Sequence, residues 1–221
     1  GLQVSMAARI NPRQMEAYLN RGLLYNEKGM FKEAAADLNT ALILNPNLAV
    51  AYLNRGIAYL KLGNSDAALS DFTEALRLAS EQAAGRPERE EPDNRARQQE
   101  ASSLALIGAA YFKRGIARMQ REEYYQALSD FTSALERDPT NGMIYYNRGL
   151  AYCALGKTLP AVEDLSHSLR LGYVKPEVYY QRGLEFYTDG QWAKALEDLD
   201  QAIALDPRRA EFFLYRSEVY R

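Results

Sequence analysis

The feature that most constrains this chain is a twelve-residue phrase that returns with a period of 34 residues. YLNRGLLYNEKG begins at Tyr18, YLNRGIAYLKLG begins at Tyr52, and related phrases begin at Tyr111, Tyr145 and Tyr179. The Arg-Gly pair inside the phrase recurs at intervals of 34, 59, 34 and 34, and the interval of 59 fits the same period with an insertion of 25. A fixed period of this length indicates stacked supersecondary units.

Within each unit the apolar residues recur at helical spacing. In the first unit Tyr18, Gly22 and Tyr25 fall on one face of a first helix, which is expected to end near Gly29. A second apolar stretch follows and is expected to end before Pro46, because proline cannot continue a helix but can begin the next one. Each unit is therefore predicted to be a helix-turn-helix.

The complete pattern is an aromatic residue, Gly four residues on and Tyr three further, followed by Ala, Phe or Leu, Ala and Pro. It resembles the tetratricopeptide repeat and covers nearly the whole chain outside the insertion. The resemblance implies an all-α, right-handed superhelical solenoid, and it implies a protein that binds other proteins. The departures from the pattern are Arg118 for Tyr, Glu122 for the turn Gly, Ser168 for Ala, and Ser80 and Tyr173 for the closing Pro.

The register of the repeats divides the chain. We expect the end of a preceding repeat at 1–14 and five complete repeats at 15–48, 49–80, 108–141, 142–175 and 176–209. Residues 81–104 are a charged insertion whose flanks have a helix-forming composition, and a spacer is favoured over a regulatory arm. Residues 210–221 match the first helix of a truncated further repeat. We therefore expect a segment of a longer array, or a partner that covers the ends.

Composition narrows the classes of function. With 27 basic against 29 acidic residues and a net charge of −2, the chain is not expected to bind nucleic acid, since such binding draws on clustered Lys and Arg. No stretch approaches the roughly 18 apolar residues of a membrane span. Cys153 and His167 are the only residues of their kinds, so no metal, cofactor or catalytic activity is expected. The single cysteine favours a reducing, cytoplasmic compartment.

The arginine of the repeated phrase has an acidic counterpart sixteen residues later in every complete repeat. The arginines are Arg21, Arg55, Arg114, Arg148 and Arg182, with a sixth copy at Arg216, and the aspartates are Asp37, Asp71, Asp130, Asp164 and Asp198. This register favours structural ion pairs between first and second helices over a ladder of cations that binds an acidic or phosphorylated ligand. Whether each aspartate binds the arginine of its own repeat or of the next stays open.

The side of each first helix opposite the Tyr-Gly-Tyr face is predicted to line the concave surface of the stack. The residue before each arginine falls there, at Asn20, Asn54, Lys113, Asn147 and Gln181. An amide side chain both donates and accepts, so this row suits an extended peptide backbone. The alternatives are a solvated surface or bonds between adjacent first helices.

An apolar row precedes the amide row by one residue. Its members are Leu19, Leu53, Phe112, Tyr146 and Tyr180. Packing between neighbouring first helices is the favoured role, and the aromatic members are large enough to anchor a ligand as well. The family's carboxylate clamp for chaperone tails needs Lys and Asn where this chain has Leu19 and Leu23, so a chaperone partner is not expected.

We therefore predict a non-catalytic scaffold or adaptor that binds a peptide or protein segment in the concave groove. Two alternatives remain open. One is a structural module that associates with itself through its end repeats, where Phe213 and Tyr220 lie. The other is the targeting segment of a larger enzyme.

Overall fold

The computed structural model describes residues 12–84 and 94–221. In these ranges it contains eleven helices and no strand, which confirms the predicted all-α class. The chain divides into two compact units, Gly1–Arg121 and Glu122–Arg221, and the boundary falls inside the third predicted repeat. The predicted end of a preceding repeat, apart from its last residues, and the central part of the insertion lie outside the described residues.

The first unit contains five helices. They are α1 (Pro12–Glu27), α2 (Phe31–Leu44), α3 (Ala49–Lys61), α4 (Ser65–Ala84) and α5 (Asn94–Gln120). Each helix packs mainly on its neighbours in the chain, and the first helices α1, α3 and α5 also contact one another in order. Since α4 continues to Ala84 and α5 begins at Asn94, both helices extend into the predicted insertion.

The second unit contains six helices. They are α6 (Tyr124–Arg137), α7 (Gly142–Ala154), α8 (Thr158–Arg170), α9 (Pro176–Thr188), α10 (Trp192–Leu205) and α11 (Ala210–Val219). Local signals set their starts: the side chain of Asn141 accepts a hydrogen bond from the backbone N–H of Met143, and Pro176 opens α9. The first helices of this unit, α7, α9 and α11, also contact one another in order.

The turn inside each helical hairpin needs a left-handed backbone. Gly29 and Gly63 have φ values of 73° and 80° there, and the third repeat places Glu122 in the same conformation with φ 61°. A side chain disfavours this conformation because its Cβ approaches the following carbonyl oxygen. The third turn therefore has the same geometry as the glycine turns, at the cost of local backbone strain.

Small residues let the two helices of a hairpin approach closely. A Cβ atom added at Gly56 would lie 2.7 Å from a ring carbon of Phe72, which is itself fully buried. The departure at Ser168 is accommodated differently. Its hydroxyl is fully buried and donates to the carbonyl of Gly142 at 2.7 Å, so it joins α8 to the start of α7.

Within the described ranges, each helix is either too short or too polar to cross a lipid bilayer. The same ranges hold no group of three or more His, Cys, Asp or Glu side chains that could bind a metal ion.

Candidate protein-binding face

The repeated arginine binds the aspartate of its own repeat. Nε donates to Oδ2 at 2.5–2.8 Å and Nη2 donates to Oδ1 at 2.7–2.9 Å, so both oxygens of each buried carboxylate are engaged. The four pairs are Arg21–Asp37, Arg55–Asp71, Arg148–Asp164 and Arg182–Asp198. In the third repeat Arg114 belongs to the first unit and Asp130 to the second. Within each unit, each of these pairs therefore joins the first and second helices of one repeat.

From Arg55 onward, the repeated arginine also binds the preceding repeat, through its nitrogen Nη1. Its acceptor lies two residues after the preceding aspartate, at 2.7–3.4 Å, and each of these acceptors is a side-chain oxygen. The contacts are Arg55 to Asn39, Arg114 to Thr73, Arg148 to Thr132, Arg182 to Ser166 and Arg216 to Asp200. Sequence reasoning missed this second role, although a polar residue at a constant offset from each aspartate is visible in the sequence.

These contacts give the arginines a structural role. The hydrogen bond from Arg55 to Asp71 raises the pKa of the guanidinium, and Arg148 is affected in the same way by Asp164. The rings of Tyr52 and Tyr59 lie 5.4 and 5.8 Å from the Arg55 guanidinium and add cation–π contacts. With its donors engaged inside the stack, Arg55 has little hydrogen-bonding capacity left for a ligand.

The first-helix face of the first unit carries amide, aliphatic and lysine side chains from α1, α3 and α5. Asn54 donates from Nδ2 to the carbonyl of Val50 at 2.8 Å, which fixes its amide against its own helix, while Asn20 is exposed. Lys113 is half-buried beside Lys61, and burial together with that neighbouring charge lowers the pKa of Lys113. This face therefore combines one fixed amide with a partly desolvated cation.

The apolar row of the first unit is mostly packed away. Leu53 is 8% exposed and Phe112 is 7% exposed, whereas Leu19 is half-buried. The structure thus leaves Phe112 little surface to offer a ligand, although its aromatic character favours an anchor in the sequence. Packing is the role that its burial supports.

The first-helix face of the second unit is rich in tyrosine. Asn147 donates from Nδ2 to the carbonyl of Met143 at 2.8 Å, as Asn54 does to its own helix, and Gln181 is half-buried. The ring centroid of Tyr146 lies 5.6 Å from that of Tyr173. Both predicted tyrosine anchors of this unit, Tyr146 and Tyr180, keep partly exposed rings.

The surroundings of these tyrosines favour their neutral form. Burial raises the pKa of Tyr146 to about 12, and the negative charge of Glu177 acts in the same direction. Burial also raises the pKa of Tyr180 to about 12, with a further contribution from Tyr215, whose ring centroid is 5.6 Å away. Since neutral phenols both donate and accept hydrogen bonds, these rings offer polar contacts as well as apolar area.

Cys153 and His167 do not form a reactive pair. Burial raises the pKa of the Cys153 thiol, and the carboxylate of Glu185 reinforces that shift, so the thiol stays protonated. His167 stacks on Tyr145 with ring centroids 4.8 Å apart, and its Nδ1 contacts Arg170. Each residue thus has contacts of its own.

Within each unit, stacked helix-turn-helix hairpins that are closed by Arg–Asp ion pairs and joined to one another by arginine hydrogen bonds define an α-helical repeat protein. A family model for the TPR repeat matches residues 22–63. One model for the tetratricopeptide repeat matches residues 49–82 and 176–209, and another matches residues 131–161. Together these matches cover more than half of the sequence. The chain belongs to the tetratricopeptide repeat family.

Solved structures show the same fold. The crystal structure of YrrB, described as a TPR protein with an unusual peptide-binding site, is 20% identical with a TM-score of 0.69, and the match covers 97% of each chain. A structure of MamA from Desulfovibrio magneticus RS-1 is 18% identical with a TM-score of 0.69, and the match covers 89% of this chain and 97% of that one. No curated protein matches the sequence.

Proposed function

We propose that this protein is a non-catalytic scaffold that binds a peptide segment of a partner protein on its first-helix faces. The observation that supports this proposal most directly is a geometry that Asn54 and Asn147 share. Each amide donates to the carbonyl four residues earlier in its own helix, and within the described residues its Oδ1 has no hydrogen-bond partner. An acceptor fixed in this way can receive a backbone N–H without losing side-chain freedom on binding.

The neighbouring side chains support a peptide as the ligand. In the first unit the half-buried Lys113 ammonium has no carboxylate partner among the described residues, so it can bind a carbonyl or carboxylate of the peptide. In the second unit Tyr146 and Tyr180 offer partly exposed rings of the kind that dominates many interfaces. A peptide-binding site is also what the description of the similarly folded YrrB names, for that protein.

The test begins with peptides selected against the protein from a random display library. Their dissociation constants are then measured for the wild type, for Asn54→Ala, for Asn147→Ala and for Gln201→Ala, an exposed amide on the second helix α10 that serves as the matched control. Peptides that use the proposed face should bind at least fivefold more weakly to one of the two asparagine variants. Their affinity for Gln201→Ala should not change.

N-methylation of the peptide N–H that contacts the asparagine Oδ1 should weaken binding to the wild type by a similar factor. The same methylation should cause little further loss of affinity for the asparagine→Ala variant that already binds the peptide weakly. The double variant Asn54→Ala/Asn147→Ala is measured as well, and if the selected peptides bind it as tightly as the wild type, the proposed site is wrong. Circular dichroism of each variant establishes beforehand that the helices are retained.

A further inference from the structure

Glu185 stands at a position where three other repeats have a buried alanine. Counted by the register of the repeats, its equivalents are Ala58, Ala117 and Ala151. These three alanines are fully buried, whereas Glu185 is half-buried on the first helix α9. The sequence therefore places a carboxylate where the other repeats exclude water.

The neighbour of Glu185 differs from that of its equivalent in the first unit. There, Ala117 on α5 belongs to the same buried apolar cluster as Leu60 on α3. In the second unit, the Glu185 carboxylate lies beside the thiol of Cys153 on α7, which is the counterpart of Leu60. Since burial raises the pKa of this thiol, and the carboxylate adds to the shift, the thiol is neutral. A neutral thiol is only a weak hydrogen-bond donor and does not balance the charge of Glu185.

Neither α7 nor α9 supplies a cation for Glu185. Arg148 and Arg182 are the basic residues of these two helices, and their guanidinium groups bind aspartates and hydroxyl groups of second helices. Across the described part of the chain, Glu185 forms no ion pair with a lysine or arginine. A partly desolvated carboxylate without a partner is unfavourable for the fold. Departures from a local rule of this kind are expected where a residue serves function.

We propose that Glu185 is a specificity-determining residue that binds a lysine or arginine side chain of the peptide on the first-helix face of the second unit. The inference rests on the proposed peptide-binding function and adds the chemical class of the ligand. The group that Glu185 lacks is a cation. A basic side chain supplies that cation on an aliphatic stem, and such a stem tolerates the partial burial found at Glu185.

A metal ion is a poorer occupant of this place. Between residues 12–84 and 94–221, no group of three or more His, Cys, Asp or Glu side chains is arranged to bind one. The thiol of Cys153 does not add a ligand to Glu185, because metals bind the thiolate and this thiol stays protonated.

The first measurement needs no ligand. If the charge of Glu185 is unbalanced within the fold, Glu185→Ala, which restores the alanine of the other repeats, should keep or raise the urea midpoint of unfolding. The matched control is Glu163→Ala, which removes the same charge from an exposed position on the second helix α8. A lower midpoint for Glu185→Ala than for Glu163→Ala would show that the fold itself balances the carboxylate, and it would overturn the proposal.

The second measurement uses those display-selected peptides that bind Asn147→Ala more weakly than the wild type. We expect each to contain a lysine or arginine whose replacement by glutamine weakens binding to the wild type about fivefold or more. The same replacement should cause little further loss in Glu185→Gln, because the charge pair is already broken there. Glu163→Gln should bind the unaltered peptide like the wild type.

Charge reversal tests the same pair in the opposite sense. Glu185→Lys should bind a peptide that carries glutamate in place of the basic residue more tightly than it binds the original peptide. The wild type should have the opposite preference, because it then faces a like charge. A Glu185→Lys variant that keeps the preference of the wild type would contradict the proposed contact.

The outcomes separate this inference from the proposed function. Peptides that depend on Asn147 but bind Glu185→Gln as tightly as the wild type would overturn the role of Glu185 and leave the binding face in place. Selected peptides that depend only on Asn54 would do the same. If no selected peptide depends on either asparagine, the proposed function fails, and this inference fails with it.

Discussion

The two units build the same arginine contacts but present different first-helix faces. Arg55 in the first unit and Arg182 in the second each bind an aspartate of their own repeat and a polar side chain of the preceding one. The face of the first unit, by contrast, combines Lys113 with mostly buried apolar residues, whereas that of the second exposes parts of Tyr146 and Tyr180. The arginine contacts that define the repeat thus stay the same in both units, while the surface that would meet a ligand differs between them.

The largest effect on stability should come from breaking the Arg–Asp ion pair that both units share. Asp71→Ala leaves the guanidinium of Arg55, which is only 16% exposed, without its carboxylate, and we expect a cost of about 3 kcal/mol in the free energy of unfolding. Asp198→Ala should cost a similar amount in the second unit, because Arg182 is 20% exposed and so nearly as enclosed as Arg55. Urea unfolding followed by circular dichroism measures both.

The exposed pair Arg77–Glu74 supplies the control for that experiment. Glu74→Ala should change the free energy of unfolding by less than about 1 kcal/mol, since surface ion pairs contribute little. If Asp71→Ala were as mild as Glu74→Ala, the shared arginine contacts would not be stabilising the repeats.

The next largest effect on stability should come from adding a methyl group where the two helices of a hairpin approach closely, and it should differ between Gly56 in the first unit and Gly183 in the second. Gly56→Ala places a Cβ 2.7 Å from the enclosed ring of Phe72, and overpacking of this kind costs about 1–3 kcal/mol, of which alanine's helix propensity offsets about 1 kcal/mol. At Gly183 the nearest atoms would be 3.3–3.4 Å away, so Gly183→Ala should be close to neutral because alanine's helix propensity offsets the contact by about 1 kcal/mol. Equal losses of thermal stability would contradict this difference.

The stability of the protein at alkaline pH should depend on the raised pKa values of Tyr146 and Tyr180 in the second unit. Since the folded-state pKa values of Tyr146 and Tyr180 are raised to about 12, above their ordinary value of 10, the unfolded chain loses these protons first as the pH rises. Stability is therefore fully present below pH 10 and declines between about pH 10 and 12. Tyr146→Phe should make that decline shallower in urea midpoints measured across this range, and an unchanged slope would count against the assignment.

The smallest effect should occur at the third turn. Glu122→Gly relieves a left-handed backbone worth about 1–2 kcal/mol, but it makes the unfolded chain more flexible by about 0.4–1 kcal/mol. We expect a net gain of about 0.5–1 kcal/mol from these two terms. The reverse change, Gly156→Ala at φ 65° with open space around the added Cβ, should destabilise by a similar amount. A loss of stability in Glu122→Gly would show that its side chain is needed there.

The period of the sequence was enough to predict the all-α repeat fold, because turn residues and apolar spacing act locally. The spacing of sixteen residues also identified Asp37 as the counterpart of Arg21 or Arg55. It could not choose between them, since that choice depends on side-chain conformation in the packed hairpin. Nor could it show that Phe112 is buried while Tyr146 keeps exposed surface, because burial depends on neighbours distant in sequence.

The most direct test of the proposed function is hydrogen exchange with and without a selected peptide. We expect the peptide to slow exchange in the first helices around Asn54 or Asn147, in α3 or α7, and to leave the second helices α4 and α8 unchanged. Protection confined to α4 or α8 would contradict the assignment of the binding face.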